Sequence, residues 1–171
     1  VTHTTTDSTY YMKKGKMVNT VTCSTTPSTD IFGSQSTNIT TTIYTYGELK
    51  IRNEIKAEYG LTSITTTTSN SGSDIYGNNW RTSQNGEYIQ SYRWSPLKNC
   101  FVLSNVDNVT DLFITSTDIF GNITTTRTAN EYRIIGNKAV VKISVSETIS
   151  TDIFGSTSIS SSITFNTYDV I

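Results

Sequence analysis

Few residues in this chain are equipped for chemistry. The single histidine, His3, sits in the Thr-rich stretch Val1–Tyr11 with no neighbouring residue that suggests a triad. General acid–base or nucleophilic catalysis needs an imidazole, an activated nucleophile or two carboxylates in different environments. No GxSxG, HExxH, GxxxxGK[ST] or GxGxxG pattern occurs either. The chain therefore reads as non-enzymatic, with no catalytic residue and no cofactor.

The two cysteines, Cys23 and Cys100, lie far apart without a CxxC or Cys/His pattern, which points away from a metal site. They are read as one disulfide, with two buried free thiols as the alternative. Calcium is the one metal whose oxygen ligands are present, in Asp107-Asn108-Val109-Thr110-Asp111 and the turn aspartates. Neither resembles an EF-hand loop, and turn or cap chemistry accounts for both, so no metal is expected. Asn38, Asn108 and Asn122 each open an Asn-X-Thr triplet that fits N-linked glycosylation.

Charge narrows the partners. Net charge is −1 and charged residues are 16% of the 171. The longest basic cluster is Lys13-Lys14-Gly15-Lys16, too short a footprint for nucleic acid. No apolar run approaches the roughly 20 residues of a membrane-spanning helix, so no stable membrane span is expected. The chain begins at Val1 rather than Met, from which removal of a leader or pro-segment is expected.

The strongest feature is a repeated phrase. Ser-Thr-Asp-Ile-Phe-Gly occurs at Ser28–Gly33, Ser116–Gly121 and Ser150–Gly155, and Gly-Ser-Asp-Ile-Tyr-Gly at Gly72–Gly77 is an edited fourth copy. Asp favours the first position of a type I turn and Gly the fourth, where a left-handed Gly also closes a hairpin with a bulge. Asp30, Asp74, Asp118 and Asp152, with Gly33, Gly77, Gly121 and Gly155, are read as four related turns, 44, 44 and 34 residues apart. Turn chemistry does not explain the apolar pairs Ile31/Phe32, Ile75/Tyr76, Ile119/Phe120 and Ile153/Phe154. Either they fold back to plug the end of the fold, or they dock on a neighbouring molecule.

Between the turns the hydropathy pattern has period two. Leu49–Tyr59 alternates Leu49, Ile51, Ile55, Ala57 and Tyr59 with charged residues and reads as one strand with a wet face; Lys138–Ile149 reads likewise. Weaker strands are expected at Met17–Thr25, Thr37–Tyr46, Leu61–Thr68, Glu87–Trp94, Val109–Thr115, Ile123–Ile135 and Ser158–Tyr168. Ser and Thr make up roughly a third of the chain, and 10 Tyr, 6 Phe and 2 Trp argue against disorder. The expectation is an all-β fold, a β-sandwich or jelly-roll-like domain of about 8–10 mostly antiparallel strands over 13–171.

Residues 1–12 form an N-terminal arm that pairs with its own sheet or, as a donated strand, with a neighbouring subunit. Val1, His3, Thr5, Tyr10 and Tyr11 are the arm's candidate interface residues, alongside the eight apolar turn residues. Thr-rich strands short of Lys and Pro lack the devices that block edge association. These features suggest an exported structural subunit, extracellular or at the cell surface, that assembles with identical copies into a pilus-like filament by strand complementation. Alternatives are a β-hairpin pore-forming protein, using Val140–Thr148 and Ser158–Phe165 as the hairpin, or a virion or phage structural protein. A Thr-array ice binder is disfavoured by the long, uneven repeat.

Overall fold

A computed structural model describes residues 1–13, 15–50 and 57–168. Its strands are β1 (Thr5–Lys13), β2 (Lys16–Thr29), β3 (Gln35–Lys50), β4 (Ala57–Ser73), β5 (Asn79–Gln84), β6 (Gly86–Ser95), β7 (Cys100–Thr110), β8 (Leu112–Thr117), β9 (Ile123–Ile135), β10 (Lys138–Thr151) and β11 (Thr157–Phe165). All pairings are antiparallel, and every described strand joins one open sheet. The order β1-β2-β3-β4-β5-β8-β9-β10-β11 leaves β1 and β11 as its edges, with β6 bonded to β4 and β7.

Long β-branched runs favour long strands, and two strands are long enough to break in the middle. β5 and β6 follow one another along β4, pairing at Ser71–Ser73 and at Ser63–Thr68. β7 and β8 follow them in turn on the other side. The breaks at Asn85 and Asp111 are tied together: Thr110 Oγ1 donates to Asn85 O at 2.9 Å, and Gln84 Nε2 to Asp111 O at 3.1 Å. Bulges beside them, at Thr82/Gln84 and Glu87/Tyr88, sharpen the local twist. The chain is thus a meander whose long strands run alternately toward and away from the four turns.

Leu49–Tyr59 is not one strand. Leu49 pairs with Glu58 and Lys50 with Ala57, so the chain reverses between them, and residues 51–56 lie outside the described residues. Alternation of period two continues through either strand of a hairpin, which is why the pattern misled. The arm, expected to pair with its own sheet or a neighbour's, lies against its own β2 in register from Thr5/Thr25 to Thr9/Val21.

Among the described residues, only Leu103 and Thr66 are buried, each 6% exposed. The chain exposes 11587 Å², whereas a folded monomer of its mass exposes about 8,300 Å². Aromatic side chains gather in the half of the sheet away from the four turns, with Tyr88 and Tyr132 5.0 Å apart and Trp94 edge-on to Phe101 at 5.3 Å. Near the turns, packing is sparser. Trp80 there covers Gly72, its cross-strand partner, and donates from Nε1 to Asn70 Oδ1 at 2.6 Å.

A Cβ at position 72 would overlap both the Trp80 ring and the carbonyl oxygen of Gln35. Gly72→Ala is therefore expected to destabilise the chain by about 1–3 kcal/mol. Urea denaturation followed by Trp fluorescence measures it.

Candidate functional site

The four repeated phrases turn the chain at one end of the sheet, between β2 and β3, β4 and β5, β8 and β9, and β10 and β11. In each, the Gly amide donates to the Asp carbonyl (3.3, 3.3, 3.1 and 3.0 Å) and Gly has φ of 96°, 93°, 89° and 86°. Only Gly takes that backbone without strain. Asp30 Oδ1 accepts from the amides of Phe32 (2.8 Å) and Ser34 (3.0 Å), and Asp74, Asp118 and Asp152 repeat the pattern. One carboxylate oxygen thereby satisfies two amides that no strand partner reaches.

These bonds move the acidities. Desolvation acts against ionisation of Asp30, but the amides of Phe32 and Ser34 outweigh it and hold the carboxyl below its ordinary value. Asp74 is lowered first by the Asn78 side chain and then by the Tyr76 and Asn78 amides, with desolvation opposing. At Asp118 desolvation again opposes, and the Asn122 side chain and amide prevail.

The turns also form a row. A methyl added at Gly33, Gly77 or Gly121 would lie 3.4, 3.2 or 3.4 Å from Cγ2 of Ile75, Ile119 or Ile153 in the next turn. Asn78 Oδ1 accepts from the Ile119 amide and Asn122 Oδ1 from the Ile153 amide, both at 3.1 Å. The row has two unlike ends. Nothing lies within 4 Å of that position at Gly155, and Ile31 is 92% exposed against 51%, 55% and 58% for Ile75, Ile119 and Ile153.

Phe32, Tyr76, Phe120 and Phe154 are all largely exposed, so the apolar tips do not plug the end of the fold. A one-layer sheet has no end cavity for them to fill. Sequence reasoning missed both the stacking of turn on turn and the role of Asn78 and Asn122. Asn directly after the turn Gly, at Asn78 and Asn122 but Ser at Ser34 and Ser156, was the available signal.

Register separates the two faces. Across β1 and β2, Thr2/Ser28, Thr4/Thr26, Thr6/Ser24 and Ser8/Thr22 share hydroxyl bonds of 3.3, 3.2, 3.0 and 3.3 Å. The same face continues through Ser36, Thr40 and Thr68 and reappears at Thr124/Ser150 and Thr126/Thr148. The opposite face carries Val21, Cys23, Ile39, Ile43, Val145, Ile149, Ile159, Ile163 and Phe165 by register. His3, Thr5 and Asp7 of the arm belong to that second face, while Tyr10 and Tyr11 lie beyond the Thr9/Tyr10 bulge.

The expected disulfide is not formed: Cys23 and Cys100 are both free thiols. Strands β3, β4 and β6 separate β2 from β7; at about 4.8 Å per step this far exceeds the 4.4–6.8 Å a disulfide spans. Of the sequon asparagines, Asn38 and Asn108 are exposed on β3 and β7. Asn122 donates to Asp118 Oδ2 at 2.7 Å, so a glycan there would break a turn clamp. Asp111 is engaged by Arg127 at 2.7 Å, and Arg127 also reaches Glu147 at 2.8 Å. Among the described residues no three carboxylate, thiol or imidazole groups are placed to share a cation.

The lowered carboxyls set an acid limit. Unfolded, they titrate at the ordinary 3.8. Their contribution is complete above that value and is lost as pH falls through the lower folded values. Urea midpoints measured from pH 7 down to pH 2 are expected to fall below about pH 4, with a shallower fall in Asp118→Asn.

Comparison with protein-family models, with curated proteins and with solved structures finds no match in any of the three. Function must be read from the turn row and the open edges themselves.

Proposed function

We propose that this chain is a non-enzymatic structural subunit that assembles with identical copies into an extracellular or cell-surface filament by adding strands edge to edge. The observation that carries this reading is the uncompleted sheet. Two nine-residue edge strands, β1 and β11, present unpaired backbone groups, and the exposed area exceeds that of a folded monomer by about two-fifths. A partner that satisfies those groups lowers the free energy of the sheet, and another copy offers matching edges. The sandwich-like layering belongs to the same proposal, since the face with Ile39, Ile43 and Ile149 is the one a second layer would cover. An N-linked glycan at the exposed Asn38 belongs to the same proposal, whereas one at Asn108 would displace the 2.6 Å bond from Asn108 Nδ2 to Asp111 Oδ1.

One observation favours a second reading. β11 is exposed along its whole length, and with β10 and the Ile153/Phe154 tip it makes a hairpin able to leave the sheet, as a β-hairpin pore former requires. A virion or phage subunit would share the filament's architecture, and the particle from which the protein is isolated separates the two.

Negative-stain micrographs and sedimentation of the purified chain at rising concentration test the assembly. Filaments are expected, with amide exchange slowing at the sheet edges only in the sedimented fraction. A monomer at every concentration overturns the reading, and leakage from liposomes through closed rings replaces it with the pore.

A further inference from the structure

The turn row specifies how one copy would follow another. Within the chain, the residue after each turn pairs with the residue before the next: Gln35 with Ser73, Asn79 with Thr117, and Ile123 with Thr151. Four hairpins, β2–β3, β4–β5, β8–β9 and β10–β11, are therefore laid side by side in one register. β1 stands outside that series. Continuing it by the same rule pairs Thr157, after the fourth turn, with Thr29, before the first turn of another copy.

In the single chain, Thr29 is held by Val1: its amide donates to Val1 O at 2.9 Å, and the Val1 nitrogen donates to Thr29 O. We infer that β1 is a resident placeholder, and that β11 of one copy displaces it from β2 of the next to build a head-to-tail polymer. This rests on the proposed self-assembly and names its donor and acceptor. It differs from donation by the N-terminal arm, since the arm is the strand that leaves.

Three features fit β11 to that place. Strand direction is the first. β1 and β11 run the same way along an odd number of long strands, so copies joined through β1 would meet in parallel, whereas β11 against β2 is antiparallel like every existing pair. The backbone groups match as well. Val1 and His3 place their bonds toward β2, and β11 residues two apart starting at Thr157 face outward, because the Asp152/Ser156 bond turns their neighbours toward β10.

The side chains are the second feature. In the continued register Ser158, Ser160, Ser162 and Thr164 replace Thr2, Thr4, Thr6 and Ser8 opposite Ser28, Thr26, Ser24 and Thr22, so the hydroxyl rows are kept. On the other face Ile159, Ile163 and Phe165 replace His3, Asp7 and Thr9 opposite Pro27, Cys23 and Val21. Three apolar contacts thus take the place of an imidazole, a carboxylate and a hydroxyl. Pro27 offers no amide to either strand, so it does not discriminate between them.

The third feature is the unequal ends of the turn row. The vacant place over Gly155 is what Gly33, Gly77 and Gly121 fill with Ile75, Ile119 and Ile153, and Ile31 of the following copy is the residue that continues the series. The association is heterologous, so it extends into a filament unless its rotation closes a ring.

Paired cysteines test it in a Cys23→Ser, Cys100→Ser background. Ser24→Cys and Ser162→Cys are placed on separate chains, mixed and oxidised; their proposed partners are a non-hydrogen-bonded pair, about 4.5 Å between Cα atoms and within disulfide reach. A disulfide between chains is expected in the mixture and in neither variant alone. Thr6→Cys with Ser24→Cys in one chain locks β1 onto β2; oxidised, it is expected to stay monomeric, and reduction restores assembly. Polymer that forms without the S24C–S162C cross-link, or despite the lock, overturns the exchange while leaving self-assembly intact. With both substitutions in one chain, cross-linking of S24C to S162C within single monomers overturns it in favour of a sheet closed on itself. A wild-type chain that never assembles removes both this inference and the reading beneath it.

Discussion

The bond from each turn aspartate to two amides governs more of this structure than its size suggests. A hairpin's register is set where its chain reverses, and a slip of one residue moves every side chain to the other face. Asp30, Asp74, Asp118 and Asp152 hold four reversals in the same geometry. The eight strand ends they join start in step as a result. Hydroxyls then meet hydroxyls along one face, and isoleucines collect on the other.

With almost no core, this sheet leans on its ladders more than globular domains do. A backbone hydrogen bond contributes about 0.5–1.5 kcal/mol net, while fixing the backbone of one residue costs about 1–2 kcal/mol. Cross-strand side-chain pairs add about 0.2–1 kcal/mol each, which the Thr/Ser rows and the Trp94/Phe101 pair supply. Interior strands such as β4, paired on both sides, gain most from this. A strand with one ladder stands near balance; β7, bonded only to β6, still packs beside β9, whereas β1 and β11 close the two ends of the strand order and are the strands most easily exchanged or extended.

Much of this was legible in the sequence, because turn chemistry is local. Asp and Gly three residues apart state the turn in a window of four residues, and the alternation in Lys138–Ile149 marks β10 directly. What could not be read depends on contacts distant in the chain. The reversal inside Leu49–Tyr59 preserves alternation on both sides. The separation of Cys23 from Cys100 is a count of intervening strands, and the exposure of Ile31 and Phe32 depends on whether a second layer covers the turns. Of the clamps between turns, only the Asn following Gly77 and Gly121 left a trace, visible once the turns are known to be neighbours.

The proposed placeholder strand would also resolve a conflict that such a sheet creates for itself. β2 offers a long outer edge flanked by Val21, Cys23 and Pro27, and left bare it would accept any extended segment. β1 covers it with matched hydroxyls on one face and with His3 and Asp7 on the other, where charge and polarity discourage further layering. Being tethered through the β1–β2 turn, β1 holds that edge at a high effective concentration. It makes only part of the side-chain contact that β11 would make there. In the proposed assembly, exchange would be favourable in contacts but opposed by the tether, so it would depend on subunit concentration, and β1 would keep the sticky edge occupied until enough copies were present to replace the cover with a neighbour.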